Sequence, residues 1–316
     1  MELTLKGKVI LKGYIITETG LHIGGLSETL KIGGVDIQVI KDPEGKIIIP
    51  GSSLKGKIRS LLEKKDGQYN IKVEYYKEVE KKGKKDFEKT RTIEIYYEYD
   101  EKRESINKKM KITYENDKSN PIITDFDADK LKLDDNEVHK KVSGMPCSCG
   151  ACDICKLFGP HNSKNIKESA RVIVRDAFLI SKDNDKILNK KDKNYENYLE
   201  IKPENVIDRV KGIAQHPRQI ERVVAGSKFK FEVVFNIYKD GDKELIKKFV
   251  EGMKLLEDDY LGGSGSRGYG KIKFENMELI YKPKEYYEGN NEAIVIKENI
   301  KDVDEMYNKV EELPFK

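Results

Sequence analysis

The sequence predicts an α+β fold. Residues Leu3 to Ile15 and Phe229 to Ile237 alternate at period two between apolar and polar, as half-buried strands do. Leu54, Ile58, Leu61 and Leu62 fall on one helical face, as do Leu245, Phe249, Met253, Leu256 and Tyr260. With two polar excursions set aside, the order along the chain is strand, helix, strand, strand, helix, strand. This is the ferredoxin-like, RRM-like arrangement.

In the first strand Leu3, Leu5, Gly7, Val9, Leu11, Gly13 and Ile15 share one face. A loop from Thr19 to Lys46 follows, then the apolar run Ile47 to Ile49 and Pro50-Gly51-Ser52-Ser53. Pro50 bars helix upstream, Ser52 or Ser53 offers an N-cap, and the apolar spacing places the helix start near Leu54. From about Asp66 to His139 the chain turns to dense Lys, Glu and Tyr with fragments of alternation. This stretch reads as an inserted, partly disordered β-ribbon with little core of its own. Arg171 to Ile180 reads as one strand and Ser181 to Ser227 as a second polar excursion. Phe229 to Ile237, the second helix and Ile272 to Tyr281 complete the core. The charged tail after Pro283 suits a short helix or a mobile end. The layout is a core of residues 1–65 and 156–282, an insertion of 66–155, an excursion of 181–227 within the core, and a tail of 283–316.

The 316 residues suffice for one elaborated domain or two ordinary ones. Sixty Lys plus Arg against 56 Asp plus Glu leave a net charge of +4. A basic footprint for nucleic acid must therefore come from local clustering. No apolar run approaches the roughly 18 residues of a membrane span. The start Met1-Glu-Leu-Thr-Leu-Lys lacks the apolar stretch of a signal peptide. The expectation is a cytoplasmic protein with no membrane partner.

Leu261 to Gly270 holds five glycines, Ser264, Ser266, Arg267 and Tyr269 between a helix pattern and a strand pattern. Glycines let backbone N–H groups approach a phosphate, and Arg267, Ser264 and Ser266 add charge and hydrogen bonds. A flexible linker needs neither Arg267 nor Tyr269. Gly51-Ser-Ser-Leu-Lys-Gly56-Lys57-Ile58 comes close to a nucleotide-binding P-loop but puts Ile58 where a Mg²⁺-ligating hydroxyl belongs. Lys55, Lys57 and Arg59 instead surround a helix whose serine- and glycine-rich start attracts anions. His22 and Asp36 stand in glycine-containing stretches after the first strand, and their spacing alone gives neither a role.

All four cysteines fall in Cys147-Ser-Cys149-Gly-Ala-Cys152-Asp-Ile-Cys155. This spacing closes thiolates around one tetrahedral Zn²⁺ of structural type, with His139 or His161 as a substitute ligand if the short loop strains. A disulfide pair is the competing reading, disfavoured inside cells.

Together Thr19-Gly-Leu-His-Ile-Gly-Gly, Ile32-Gly-Gly-Val-Asp, Ile49-Pro-Gly-Ser-Ser-Leu-Lys-Gly-Lys-Ile-Arg, Cys155-Lys-Leu-Phe-Gly, Val174-Arg-Asp-Ala, Pro217-Arg-Gln-Ile-Glu-Arg and Asp259-Tyr-Leu-Gly-Gly-Ser-Gly-Ser-Arg-Gly-Tyr-Gly resemble the RAMP (repeat-associated mysterious protein) superfamily. Within it they most resemble the backbone subunits of type III-A CRISPR–Csm interference complexes. The resemblance implies an RRM-like core with an inserted lid and a thumb β-hairpin, here the excursion 181–227 that holds Ile207 to Arg222. It implies copies stacked along a guide CRISPR RNA beside other Csm subunits, cutting target RNA at regular intervals.

By the same resemblance Asp36 is the residue needed for the cut, assisted by Mg²⁺ or a similar divalent ion. His22, Ser53, Lys55, Arg59, Ser264 and Arg267 are cast as guide-RNA contacts. The stretch Asp66 to Glu137 and the tail after Pro283 have no counterpart in the resemblance. Two other functions fit the same motifs: an architectural RNA-binding subunit without cleavage, and a guide-processing endoribonuclease with His22 as general base.

Overall fold

The computed structural model describes residues 4–24, 37–81, 84–100, 105–115, 117–125, 127–134, 137–162, 164, 166–181 and 185–315. In chain order it contains β1 (Gly7–Thr17), β2 (Ile48–Ile49), α1 (Gly51–Asp66), β3 (Asn70–Lys81), β4 (Lys84–Asp100), β5 (Ser105–Tyr114), β6 (Asp117–Asp125) and β7 (His139–Met145). There follow α2 (Asp153–Phe158), β8 (Val172–Val174), β9 (Ala177–Ile180), β10 (Leu199–Ile207), β11 (Ala214–Val223), β12 (Lys228–Ile237) and α3 (Asp242–Glu257). The chain ends with β13 (Ile272–Pro283), α4 (Lys284–Tyr287), β14 (Ile294–Ile300) and α5 (Val303–Lys309). Two compact units result: Met1–Leu61 with Val172–Lys316, and Leu62–Arg171. The fold is α+β, with antiparallel sheets.

In the first unit the strand order is β14-β13-β1-β12-β9-β2, with β8 also beside β12. The period-two pattern sets the register: Val9 faces Phe235, Leu11 faces Val233 and Ile15 faces Phe229. A slip of one residue would turn this whole apolar set to the opposite face. Val9, Leu11, Ile15, Phe229, Phe231, Phe235 and Phe274 are all at most 1% exposed. Phe235 meets Phe249 of α3 edge-on at 5.3 Å, and Phe231 meets Phe274 at 5.4 Å. Each such buried ring contributes about 1.5–3 kcal/mol of transfer free energy.

Four local expectations change. First, α1 begins at Gly51, and its cap comes from far along the chain: Asp176 Oδ1 accepts the Gly51 N–H at 2.7 Å. Neither Ser52 nor Ser53 is that cap, because a side chain brought in by folding outcompetes them. Second, Arg171 to Ile180 is two strands, β8 and β9, with the break at Arg175-Asp176 that frees Asp176 to cap. Third, α3 stops at Glu257, so Tyr260 lies outside it. Fourth, the tail is built into the sheet: β14 pairs β13, and α5 buries Val303 and Met306.

The second unit overturns the expectation of a ribbon with little core of its own. Its strands form a five-stranded sheet in the order β6-β5-β4-β3-β7. Val73, Tyr75, Ile93, Ile95, Met110 and Ile112 form a buried cluster, with Leu131 packed against it. Three strands each supply two alternate apolar residues, so segments too polar to stand alone gather one dry face between them. Arg91 and Glu137, each with a side chain 3% exposed, pair at 2.8 Å, and Arg91 also donates to the Lys132 carbonyl.

The hairpin β10–β11 pairs from Leu199 opposite Val223 to Ile207 opposite Ala214, with the register shifting between Glu204 and Val206. Its turn is set by Asp208, whose Oδ1 accepts the N–H groups of Val210 and Lys211, both at 2.8 Å. This is the local hydrogen bonding that makes Asp a turn residue.

Candidate nucleic-acid interface and cysteine cluster

The loop Leu261 to Gly270 is a fixed structure. Gly262 (φ 81°) packs so closely on the carbonyl of His22 that no β-carbon fits, and the Gly263 N–H donates to that carbonyl at 2.9 Å. Gly265 leaves room for the ring of Tyr260 in the same way. Ser264 (φ 60°) opens a single 3₁₀ turn, Gly265–Arg267. Arg267 Nη2 donates to Ser264 Oγ at 2.6 Å, and its Nη1 pairs with Glu204 of β10 at 2.8 Å. Tyr269 is buried, with Lys202 Nζ 4.5 Å and the Arg222 guanidinium 4.9 Å from its ring centre.

The start of α1 stands beside this loop. Lys57 Nζ lies 3.7 Å from the Tyr260 ring centre and 3.3 Å from Asp259 Oδ1. Lys55 and Arg59 lie one turn apart on α1, and Ser53 is half-buried in its first turn. Lys55 donates to the Val172 carbonyl at 3.3 Å. Burial, and then the like charge of Arg59, hold the Lys55 ammonium below its ordinary pKa. The amide dipoles and these cations make the start of α1 attractive to an anion, while Asp176 already occupies the Gly51 N–H.

The foot of the hairpin joins the same region. His22 Nδ1 donates to the Glu221 carbonyl at 2.6 Å, which leaves Nε2 as the ring's other nitrogen. Leu21 and Val223 exchange backbone hydrogen bonds at 2.9 and 2.8 Å. On the other side, the Glu221 N–H donates to the Ile37 carbonyl at 2.9 Å, and Glu221 Oε2 accepts the Val39 N–H at 2.9 Å.

The structure thus brings His22, Ser264 and Arg267 to the glycine loop and sets Ser53, Lys55 and Arg59 on α1. His22 is only 7% exposed, so Nε2 is its remaining polar atom. Asp36 lies outside the described residues; the residue after it, Ile37, is the one tied to Glu221. Asp176, Glu221 and Arg222 stand in motifs that the sequence offers but receive no role there, and Lys202 stands in none of them. The period-two spacing of Glu200, Lys202 and Glu204 is the signal that marks one charged face of β10.

In the second unit Cys147, Cys149, Cys152 and Cys155 are buried, unbridged, and have Sγ atoms all within 4.8 Å of one another. The Cys149–Cys155 and Cys147–Cys152 separations are 3.9 and 4.0 Å. A tetrahedral Zn–S bond of about 2.3 Å places thiolates roughly 3.8 Å apart, so the donor set fits a metal of that size. The Cys152 and Cys155 N–H groups point at the sulfurs of Cys149 and Cys152 at 3.3 and 3.4 Å. Glu63 accepts the Cys147 N–H at 2.9 Å and fixes the loop. Neither histidine belongs to the cluster: His139 stacks on Tyr76 at 4.8 Å, and His161 is exposed. Among the described residues this is the one cluster of three or more metal-ligating side chains.

Residues 14–273 match the RAMP superfamily, and the chain belongs to it. It is 50% identical over 313 residues to the CRISPR system Cms endoribonuclease Csm3 of Methanocaldococcus jannaschii, covering 98% of this chain and 96% of that one. The protein of the same name from Streptococcus thermophilus is 35% identical over 275 residues, 86% of this chain and 89% of that one. Among solved structures, the crystal structure of the Csm3-Csm4 subcomplex in the type III-A CRISPR-Cas interference complex matches at a TM-score of 0.54. Its identity is 40%, and 98% of both chains is covered.

Proposed function

We propose that this chain is the backbone subunit and endoribonuclease of a type III-A CRISPR interference complex. It binds guide CRISPR RNA, polymerises along it with copies of itself beside other Csm subunits, and cuts complementary target RNA at regular intervals in the cytoplasm. Among the described residues no helix is long and apolar enough to cross a membrane.

The convergence of the ordered glycine loop, the start of α1 and the foot of the β10–β11 hairpin in one unit carries this reading. Backbone amides and cations suit a phosphate chain read without regard to sequence. The antiparallel order β13-β1-β12-β9 supports the ferredoxin-like, RRM-like reading of the core. In that reading β10–β11 is the thumb and the five-stranded unit with its cysteine cluster is the lid. The donor set supports a structural Zn²⁺.

RNA brings its own nucleophile, the 2′-OH, so a cut requires in-line geometry, loss of the hydroxyl proton and charge stabilisation on the phosphate. In this proposal Asp36 orients the hydroxyl or holds a hydrated Mg²⁺ or similar ion, which would neutralise phosphate charge when bound. Lys55, Arg59 and Arg267 hold the guide.

The test is incubation of the complex, reconstituted on guide RNA, with labelled target and Mg²⁺. Regularly spaced products are expected. Intact target identifies an architectural subunit. Cleavage of a repeat hairpin by the isolated chain without metal identifies a guide-processing enzyme.

A further inference from the structure

Glu221 is the point where three pieces of the first unit meet. Its carbonyl accepts from His22 Nδ1, and its N–H donates to the Ile37 carbonyl. Its carboxylate accepts the Val39 N–H at 2.9 Å, with Lys41 Nζ 3.4 Å from each of its oxygens. The side chain is 12% exposed and Val39 is 5% exposed, so this contact is made largely out of water. A backbone hydrogen bond to a buried carboxylate is short, strong and directional. Ile37 also pairs in parallel with Ile220, so the segment after Asp36 is held to β11 by backbone and side chain together.

The backbone bonds of this junction need no particular side chain. The carboxylate does a separate job: it pins Val39 and Lys41, three and five residues past Asp36 in sequence, to the strand that carries the far arm of the hairpin. Arg267 is tied to Ser264 and Glu204, Lys55 to Val172, and His22 to the backbone carbonyl of Glu221, not to its carboxylate.

The geometry points to Glu221 as a positioning residue for RNA cleavage: its carboxylate fixes the segment Ile37–Lys41 on the hairpin foot, and so governs the rate of the cut rather than the grip on RNA. This rests on the reading that Asp36 is needed for the cut. A reacting group displaced by about 1 Å costs on the order of a hundredfold in rate.

The test uses the complex assembled on guide RNA, with Glu221→Ala, Glu221→Gln and Asp36→Ala beside the unaltered chain. Single-turnover cleavage is followed at saturating target and Mg²⁺, together with target affinity and amide hydrogen exchange over Ile37–Lys41. Glu221→Ala is expected to slow cleavage by roughly tenfold to a hundredfold, leave target affinity unchanged and speed exchange at Val39. Glu221→Gln, whose carboxamide oxygen still accepts from Val39, is expected to recover most of the rate.

Wild-type cleavage by Glu221→Ala, with Asp36→Ala inactive, overturns the Glu221 proposal alone. Equal loss of cleavage and of RNA affinity in both Glu221 variants overturns it too, by showing a general structural role. Undiminished cleavage by Asp36→Ala overturns the assignment of the cut to Asp36, whatever Glu221 does.

Discussion

Lys57 Nζ lies 3.7 Å from the centre of the Tyr260 ring, and that ring fills the space beside Gly265 that a β-carbon would need. Helix α1 and the glycine loop are therefore linked through one aromatic side chain. Gly265→Ala is expected to lower stability by about 1–3 kcal/mol by overpacking and to weaken guide-RNA binding. Gly265→Ala combined with Tyr260→Ala should recover part of that loss, since the added methyl then has room. A double-mutant cycle on urea unfolding and RNA affinity checks this, and strict additivity would contradict the linkage.

Removal of phosphate-facing charge should appear in the salt dependence. Lys55→Ala and Arg267→Ala are each expected to weaken guide binding and to reduce the slope of log affinity against log salt by about 0.7–1. Affinity titrations at several salt concentrations measure it. An unchanged slope in both variants would remove these side chains from the phosphate contacts.

The cysteine cluster should hold one zinc per chain. Cys152→Ser, or prolonged chelation, is expected to release the metal and to lower the melting temperature, because binding of a structural metal is coupled to folding. Native mass spectrometry with thiol titration reads the result. Purified protein with no metal and four freely titrating thiols would contradict the assignment.

Acid sensitivity should arise in part from Glu137. Burial pushes its carboxyl up, but hydrogen bonds from Arg91, the Asp134 N–H and Thr90 outweigh that and hold it below the ordinary carboxylate range. A depressed folded-state pKa contributes stability that is present above the unfolded value, about 4.3, and is lost as pH falls through the folded value. Glu137→Gln is therefore expected to cost up to roughly 3–5 kcal/mol at pH 7, where it removes the nearer and more buried carboxylate partner of Arg91 and leaves only Asp134 at 3.4 Å. That cost should shrink as the pH falls toward 3. Urea unfolding at both pH values measures the difference; an equal cost at each would show that the charge is not what matters.

Much of the first unit is legible in the sequence because its signals are local. Val9, Leu11 and Ile15 alternate, and so do Phe229, Phe231 and Phe235, so two neighbouring strands can be placed without coordinates. The cysteine spacing is equally local, and the four sulfurs gather as it implies. The second unit is not legible in the same way. Val73, Ile93 and Met110 each stand among charged neighbours, and only the pairing of β3, β4 and β5 brings them into one dry cluster.

The candidate interface divides along the same line. The sequence by itself determined the parts: an anion-suited glycine loop, a basic helix with a serine- and glycine-rich start, and a compact thiolate set. Tertiary structure alone decided which residues complete them. Asp176 caps α1 from 125 positions away, and Glu221 reaches Val39 across 182. Lys202 and Arg222 flank Tyr269 only because the hairpin folds back onto the loop. Periodicity and spacing record which faces must be dry and which backbone angles are allowed, both properties of neighbours in the chain. A hydrogen bond between residues so far apart in sequence leaves no periodic trace, because its geometry is set by the packing of the elements that carry its two ends.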